Sequence, residues 1–360
     1  MECRRVARDS LRVALVVFYD KIYSVMNENY EFDFIALGDI TTDAFIKLSD
    51  FHIHTDNQNG QRIKEICLRF GDKIPYKEVI EVPAVGNSPN ASVSASRLGI
   101  RSAIITELGD DKDGEKCIQS LEKDSVSTKF VRKHKGKKTN YHYVLQYGAE
   151  RTILIKHEEY EYKLPKLPAI KWLYLSSLGE NSLPYHKEIA NWLREHPETK
   201  LAFQPGTFQI KQGSVNLKEL YKLSHLFFCN VQEAQRILET EETDTKKLLK
   251  SMRELGVKIP VITDGADGAY FYDGNEGWHM PIYPDPAPPI DRTGAGDSFS
   301  STFTSFLAMG LPTLEALKRA PINSMSVVQY TGAQEGLLTK QKLEQFLENA
   351  PADYKATKIM

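Results

Sequence analysis

From residue 33 onward the chain alternates two hydrophobic rhythms. Short apolar runs at Phe34-Ile35-Ala36-Leu37, Ala103-Ile104-Ile105, Trp172-Leu173-Tyr174-Leu175, Leu226-Phe227-Phe228 and Val261-Ile262 have the length of strands buried on both faces. Between them, residues 185–195, 231–238 and 245–255 carry apolar positions at helical spacing, with charged residues on the opposite face. Strand and helix taking turns predicts a parallel sheet covered by helices on both sides. Two stretches depart from this rhythm. Residues 45–82 and 137–157 read as extended and alternating, and in the second Tyr141, Tyr143 and Leu145 are answered by Thr152, Leu154 and Lys156 across Tyr147-Gly148-Ala149-Glu150, a β-hairpin pattern. These insertions form either a small β lid above the main sheet or an ordinary edge hairpin.

Composition narrows the function classes. With 360 residues, 41% of them apolar, the chain can bury a substantial core. Lys and Arg total 46 against 48 Asp and Glu, so no global field draws it to nucleic acid, and a small partner is expected. The basic cluster Arg132, Lys133, Lys135, Lys137 and Lys138 reads as a solvated loop. Cys3, Cys67, Cys117 and Cys229 lie far apart, as reduced thiols of a cytoplasmic protein do. His52 and His54 have no acidic or sulfur ligands around them and read as a polar strand or loop. Near the start, Arg4, Arg5 and Arg8 precede an apolar stretch over residues 13–19 that is too short to span a bilayer and lacks a cleavage pattern. Residues 1–30 therefore read as an amino-terminal extension, and 351–360 as a tail.

The chemistry concentrates at Asp291-Arg292-Thr293-Gly294-Ala295-Gly296-Asp297-Ser298, which opens a helix whose Phe299, Phe303, Phe306 and Leu307 share one face. Glycines at a helix start leave unpaired N–H groups and the positive dipole end pointing outward, which makes an anion site. A carboxylate beside it, Asp297, can take the proton of a hydroxyl attacking phosphorus. The alternative is a tight turn in which Asp297 only caps the helix. No G-x-x-x-x-G-K-[ST], no G-x-G-x-x-G between strand and helix, and no protein-kinase motif set occurs.

These residues resemble the carboxy-terminal signature of the PfkB family, the ribokinase-like sugar and nucleoside kinases, and the resemblance extends over most of residues 33–348. Gly86-Asn87-Ser88-Pro89-Asn90 is similar to the family's amino-terminal glycine-pair signature, with Val85 in place of the first glycine. Gly38-Asp39-Ile40-Thr41-Thr42-Asp43 resembles the end of the family's first strand, and Asn230-Val231-Gln232-Glu233 its N-x-x-E element. Thr263-Asp264-Gly265 is similar to the turn that passes the nucleotide, and Asn323 to a position near the adenine, a plain helix asparagine being the alternative.

The resemblance implies an α/β, ribokinase-like three-layer fold with a mostly parallel central sheet and a small β-sheet lid, in a kinase domain over residues 31–350. It implies transfer of the γ-phosphate of ATP to a hydroxyl of a sugar, or of a nucleoside, since Tyr330-Thr331-Gly332-Ala333 is spaced as in adenosine-kinase-type members. Asp297 would be the base, with the amides of Gly294, Ala295 and Gly296 holding charge. Asp43, Gly86 and Asn90 would bind the acceptor, and Asn230, Thr263, Gly265 and Asn323 the nucleotide. Glu233 would act on Mg²⁺ through water. A monovalent cation and a homodimer formed through the lid belong to the same implication; nucleic acid and membrane do not.

Overall fold

The computed structural model describes residues 29–49, 52–58, 61–147 and 150–360. The amino-terminal stretch and Cys3 discussed above lie outside the described residues.

In chain order the strands are β1 (Phe32–Leu37), β2 (Thr41–Leu48), β3 (His52–Gln58), β4 (Gln61–Cys67), β5 (Tyr76–Val85), β6 (Ser102–Gly109), β7 (Ser127–His134), β8 (Asn140–Tyr147), β9 (Glu150–Leu154), β10 (Ile170–Leu175), β11 (Lys200–Phe203), β12 (Ser224–Asn230), β13 (Ile259–Thr263), β14 (Ala269–Tyr272), β15 (Gly277–Met280) and β16 (Thr357–Lys358). The helices are α1 (Asn87–Arg97), α2 (Lys112–Lys123), α3 (Leu183–Glu195), α4 (Thr207–Asn216), α5 (Lys218–Leu223), α6 (Val231–Leu238), α7 (Thr245–Glu254), α8 (Ala295–Ala308), α9 (Thr313–Val327) and α10 (Lys340–Glu348).

The central sheet runs β16-β15-β14-β13-β12-β11-β10-β1-β6-β7. From β13 to β7 every pairing is parallel, and β14 to β16 add an antiparallel edge. Alternation along β1 shows why Phe34 to Leu37 are all apolar: Phe34 and Ala36 enter a core shared with α1, α8 and α9, while Ile35 and Leu37 enter one shared with α3, α6 and α7. Both faces are covered there, and the buried Asp33 before them is met by Arg101 at 2.9 Å.

The segments that broke the rhythm form a separate four-stranded sheet, β5-β2-β8-β9, with β3 and β4 as a further hairpin. The edge-hairpin alternative is thereby set aside. Because β2 and β8 run parallel with Asp43 opposite His142 and Phe45 opposite Val144, these side chains share one face. On β9, Arg151 pairs with Gln146 and joins that face.

Two smaller expectations are corrected. Residues 351–360 are not a tail: β16 pairs with β15, and buried Tyr354 donates to the Lys318 carbonyl at 2.6 Å, because its ring completes the apolar patch of Tyr283. Arg132 and Lys133 lie on β7 rather than in a loop, where Glu107 and Glu115 neutralise them.

Candidate active site

Every parallel strand from β1 to β13 points its carboxyl end toward the same edge, where open α/β sheets bind ligands. Gly38 and Asp39 follow β1, Gln204 follows β11, and Asn230 and Thr263 end β12 and β13.

At that edge Gly294 takes a left-handed conformation, φ 80°, and α8 begins. A Cβ on Gly294 would stand 2.4 Å from that of Ala333, so only glycine lets the loop meet residues 332 and 333. Ser298 N is the first amide to bond back, to the Gly294 carbonyl at 2.8 Å. The amides of Ala295, Gly296 and Asp297 precede the helical ladder and face outward with the dipole. Asp291 braces this loop: Oδ1 accepts from Thr293 N at 2.9 Å, from its hydroxyl at 2.6 Å and from Arg151 Nη1 at 2.9 Å, while Oδ2 accepts from Gly332 N at 3.0 Å.

Asp297 does not cap the helix. Its Oδ1 accepts from Asn87 Nδ2 at 2.7 Å and Gln204 Nε2 at 3.0 Å, and its Oδ2 from Asn90 Nδ2 at 2.8 Å. Each amide is itself oriented. Gln334 Nε2 donates to Asn90 Oδ1 at 2.9 Å, and the hydroxyls of Tyr174 and Ser300 both donate to Gln204 Oε1. Burial pushes the Tyr174 phenol well above its ordinary range, so it stays a neutral donor.

On one side of α8 a cavity of about 240 Å³ opens, walled by Thr263, Gly265 and Ala266, by Ala295 and Gly296, and by Pro321, Ser324 and Met325 of α9. Asn230 and Glu233 form a reciprocal cap at the start of α6: Asn230 Oδ1 accepts from Glu233 N at 2.8 Å, and Glu233 Oε2 from Asn230 N at 2.9 Å. Burial raises the Glu233 carboxyl, and the Asp297 charge adds to this against the opposing Asn230 N–H and Arg236. The other oxygen of Glu233 and the amide nitrogen of Asn230 stay out of the cap.

On the opposite side, Gly86 adopts φ 120° before α1, and a Cβ there would lie 3.1 Å from the Asp39 carbonyl oxygen. Close packing thus brings the Asn87–Asn90 turn under the β1–β2 connection. Asp39 accepts from Tyr162 Oη at 2.9 and 3.1 Å, and Asp43 stands 3.3 Å from His142 Nδ1.

Residues 63–340 match the pfkB family carbohydrate kinase profile. The chain belongs to the pfkB family. A curated relative, the ribokinase of Mus musculus, is 26% identical over 276 residues, covering 72% of this chain and 82% of its own. Among solved structures, Arabidopsis thaliana ribokinase complexed with ribose and ATP superimposes with TM-score 0.73 at 18% identity, over 88% of this chain and 98% of its own. The nucleoside kinase of Methanocaldococcus jannaschii does so with TM-score 0.72 at 17% identity, over 88% and 98%. These likenesses establish the ribokinase fold.

For this pfkB kinase the structure rearranges several assignments drawn from the motifs. Asn323 is not at the cavity: fully buried on α9, its amide donates to Thr302 Oγ1 at 2.8 Å and its Oδ1 accepts from Leu338 N at 2.9 Å, while Pro321, Ser324 and Met325 of the same helix line the wall. The Asn90 amide gives one hydrogen to Asp297 Oδ2 and accepts one from Gln334, so it orients the carboxylate, with a second N–H left for an acceptor. Thr263 and Gly265 do line the cavity. Asn87, Gln204, Tyr174, Asp39 and His142 belong to the site without having been singled out. Asp39 and Gln204 carried one usable signal, a polar residue just past the carboxyl end of a buried strand.

Proposed function

We propose that this pfkB kinase transfers the γ-phosphoryl group of ATP to a hydroxyl, a primary alcohol, of a sugar. Asp297 carries the proposal: a carboxylate held by three amide donors beside a row of unpaired helix amides. The substrate oxygen attacks the γ-phosphorus, the bond to the bridging oxygen breaks toward ADP, and the hydroxyl proton passes to Asp297. The amides of Gly294, Ala295 and Gly296 meet charge developing on the phosphoryl oxygens.

The nucleotide fits the cavity between the Gly265 turn and α9. Among the described residues no group of three His, Cys, Asp or Glu could hold a metal by itself. Glu233, whose Oε2 accepts within the helix cap while its other oxygen is left over, would touch through water a magnesium ion arriving hydrated on the phosphates, and such an ion would neutralise phosphate charge. This reading also takes in the monovalent cation implied by the family resemblance, without assigning it ligands. Asp43 contacts the acceptor, and the outer lid face, with exposed Val79, Tyr143 and Leu154, is the surface for a homodimer. No helix among the described residues is long and apolar enough to cross a membrane.

Asp297→Asn is the test. Turnover should fall by about 10² to 10⁴, the range for losing a general base, while the ATP-induced rise in melting temperature persists. The new amide must face existing donors, so the variant's own melting curve is recorded first. Near-normal turnover would overturn the assignment.

A further inference from the structure

Where the lid sheet joins the core, one residue is held in a conformation that its side chain disfavours. Between the pairs Thr41–Val85 and Asp43–Val82 the register of β2 against β5 slips, so Pro83 and Ala84 stand opposite Thr42 alone, a β-bulge. Ala84 takes φ 60° there, the left-handed region that glycine ordinarily fills, and it is buried. Two buried side chains fix it. Its N–H donates to Cys117 Sγ at 3.3 Å, and its carbonyl accepts from Gln334 Nε2 at 2.7 Å. The same nitrogen of Gln334 gives a hydrogen to Asn90 Oδ1 at 2.9 Å, and Asn90 Nδ2 reaches Asp297 Oδ2 at 2.8 Å. Gln334 is itself anchored by its backbone carbonyl, which accepts at 2.6 Å from Arg97 Nη1, a guanidinium paired with Asp124. A continuous row of bonds thus runs from the end of β5 to the catalytic carboxylate.

We propose that Gln334 is a positioning residue that makes the alignment of Asp297 conditional on the left-handed turn at Ala84. A primary amide carries two hydrogens on one nitrogen, and Gln334 directs one to the bulge and the other to Asn90. When Ala84 relaxes to negative φ, its carbonyl swings away and leaves a buried N–H unmet. Gln334 then turns toward another acceptor and Asn90 Oδ1 loses its donor. The freed Asn90 amide can present that oxygen, instead of its N–H, to the carboxylate. Strain at Ala84 favours this release, so the row holds only while β5 stays seated on α2 and on the loop that carries Gln334. Seating of the β5 end and alignment of the base become one event, joined through a residue that touches neither substrate.

The inference rests on the kinase reading, and its test separates the two. ADP release with D-ribose and D-fructose is followed for wild type, Gln334→Met, Asn90→Leu, Ala84→Val and the double variants, each assayed well below its own melting temperature. Gln334→Met should lower kcat by about 10- to 100-fold, the cost of leaving a buried acceptor unmet, with the KM for ATP and for sugar within about threefold. Added to Asn90→Leu, it should cost less than about twofold more, because Gln334 acts through Asn90. Ala84→Val, which disfavours the left-handed turn further, should lower kcat by about 3- to 10-fold in wild type and by less than about twofold in Gln334→Met. A Gln334→Met variant that loses only melting temperature, losses that add in full with Asn90→Leu, or an Ala84→Val loss that is undiminished without Gln334 would overturn the inference and leave the kinase reading standing. If Gln334→Met fails to fold, Gln334→Glu and Ala84→Val decide: a carboxylate set against the Ala84 carbonyl and Asn90 Oδ1 draws the Asn90 N–H away from Asp297, so an unchanged kcat in Gln334→Glu overturns the inference. No turnover of either sugar by wild type overturns the kinase reading itself.

Discussion

Asp297 is held by three amides before any substrate arrives, and the quality of that hold depends on residues that never touch the reacting atoms. Gln204 can donate to Asp297 only while its Oε1 is engaged on the other side, and Tyr174 and Ser300 supply that engagement. Removing the phenol oxygen lets the Gln204 amide rotate and turn its carbonyl oxygen against a carboxylate. Tyr174→Phe should therefore lower kcat by about 10- to 150-fold, the equivalent of one hydrogen bond to a charged group, with the KM for ATP little changed. Gln204→Met should give the same loss, and the double variant little more, since both remove one interaction. A steady-state cycle over the four proteins checks this, and additive losses would contradict it. Asn87 matters in the same way from the other flank, and its partner lies 210 positions along the chain.

At the level of elements, the lid and the catalytic loop are joined through one ion pair. Arg151 on β9 reaches Asp291, a buried carboxylate that also positions Thr293 and Gly332. Opening the lid strips the guanidinium from that carboxylate and leaves a buried charge without its cation, so the pair biases β8 and β9 toward the closed position. Arg151→Met keeps the aliphatic stem and removes the charge. It should speed amide exchange in β8 and β9 by about three- to tenfold and raise the sugar KM by a similar factor, as an ion pair with a partly exposed guanidinium worth about 1 kcal/mol would. Unaltered exchange would show that packing of Phe45 against residue 332 closes the lid without help. Helix α6 illustrates a second economy: the N-x-x-E residues build the capping box that starts the helix at the carboxyl end of β12, where the Asp297 charge reaches Glu233.

At the scale of the whole molecule, two cores flank one sheet, and a titratable group sits deep in one of the layers. His186 on α3 is buried, its Nε2 3.0 Å from Gln209 Nε2 and its Nδ1 without a partner. Burial pushes this imidazole down to about 4. The unfolded chain takes up a proton near pH 6.5 that the folded chain refuses until about 4, so this contribution to stability is whole above about 6.5 and is lost as pH falls toward 4. The urea midpoint should drop across that window by an amount matching about 3 kcal/mol at most, and the drop should be shallower in His186→Leu. A slope identical in both proteins would assign the acid sensitivity to other groups.

The same scale separates what was legible from what was not. The strand–helix alternation, the separate character of residues 45–82 and 137–157, and the helix starting at Ala295 with Asp297 in its first turn could all be read along the chain. Each rests on local physics: apolar period, glycine conformational freedom and the unpaired amides of a helix start. The tertiary structure alone decided that Asn87, Asn90 and Gln204 converge on Asp297, that Asn323 serves the helix interior, that residues 357–358 close the sheet edge, and that His142 stands beside Asp43. Those choices depend on contacts between segments 15 to 210 residues apart, for which no local pattern carries a signal. Hydrophobic periodicity sets which face of an element is buried; only the assembled sheet sets which elements' polar residues meet above it.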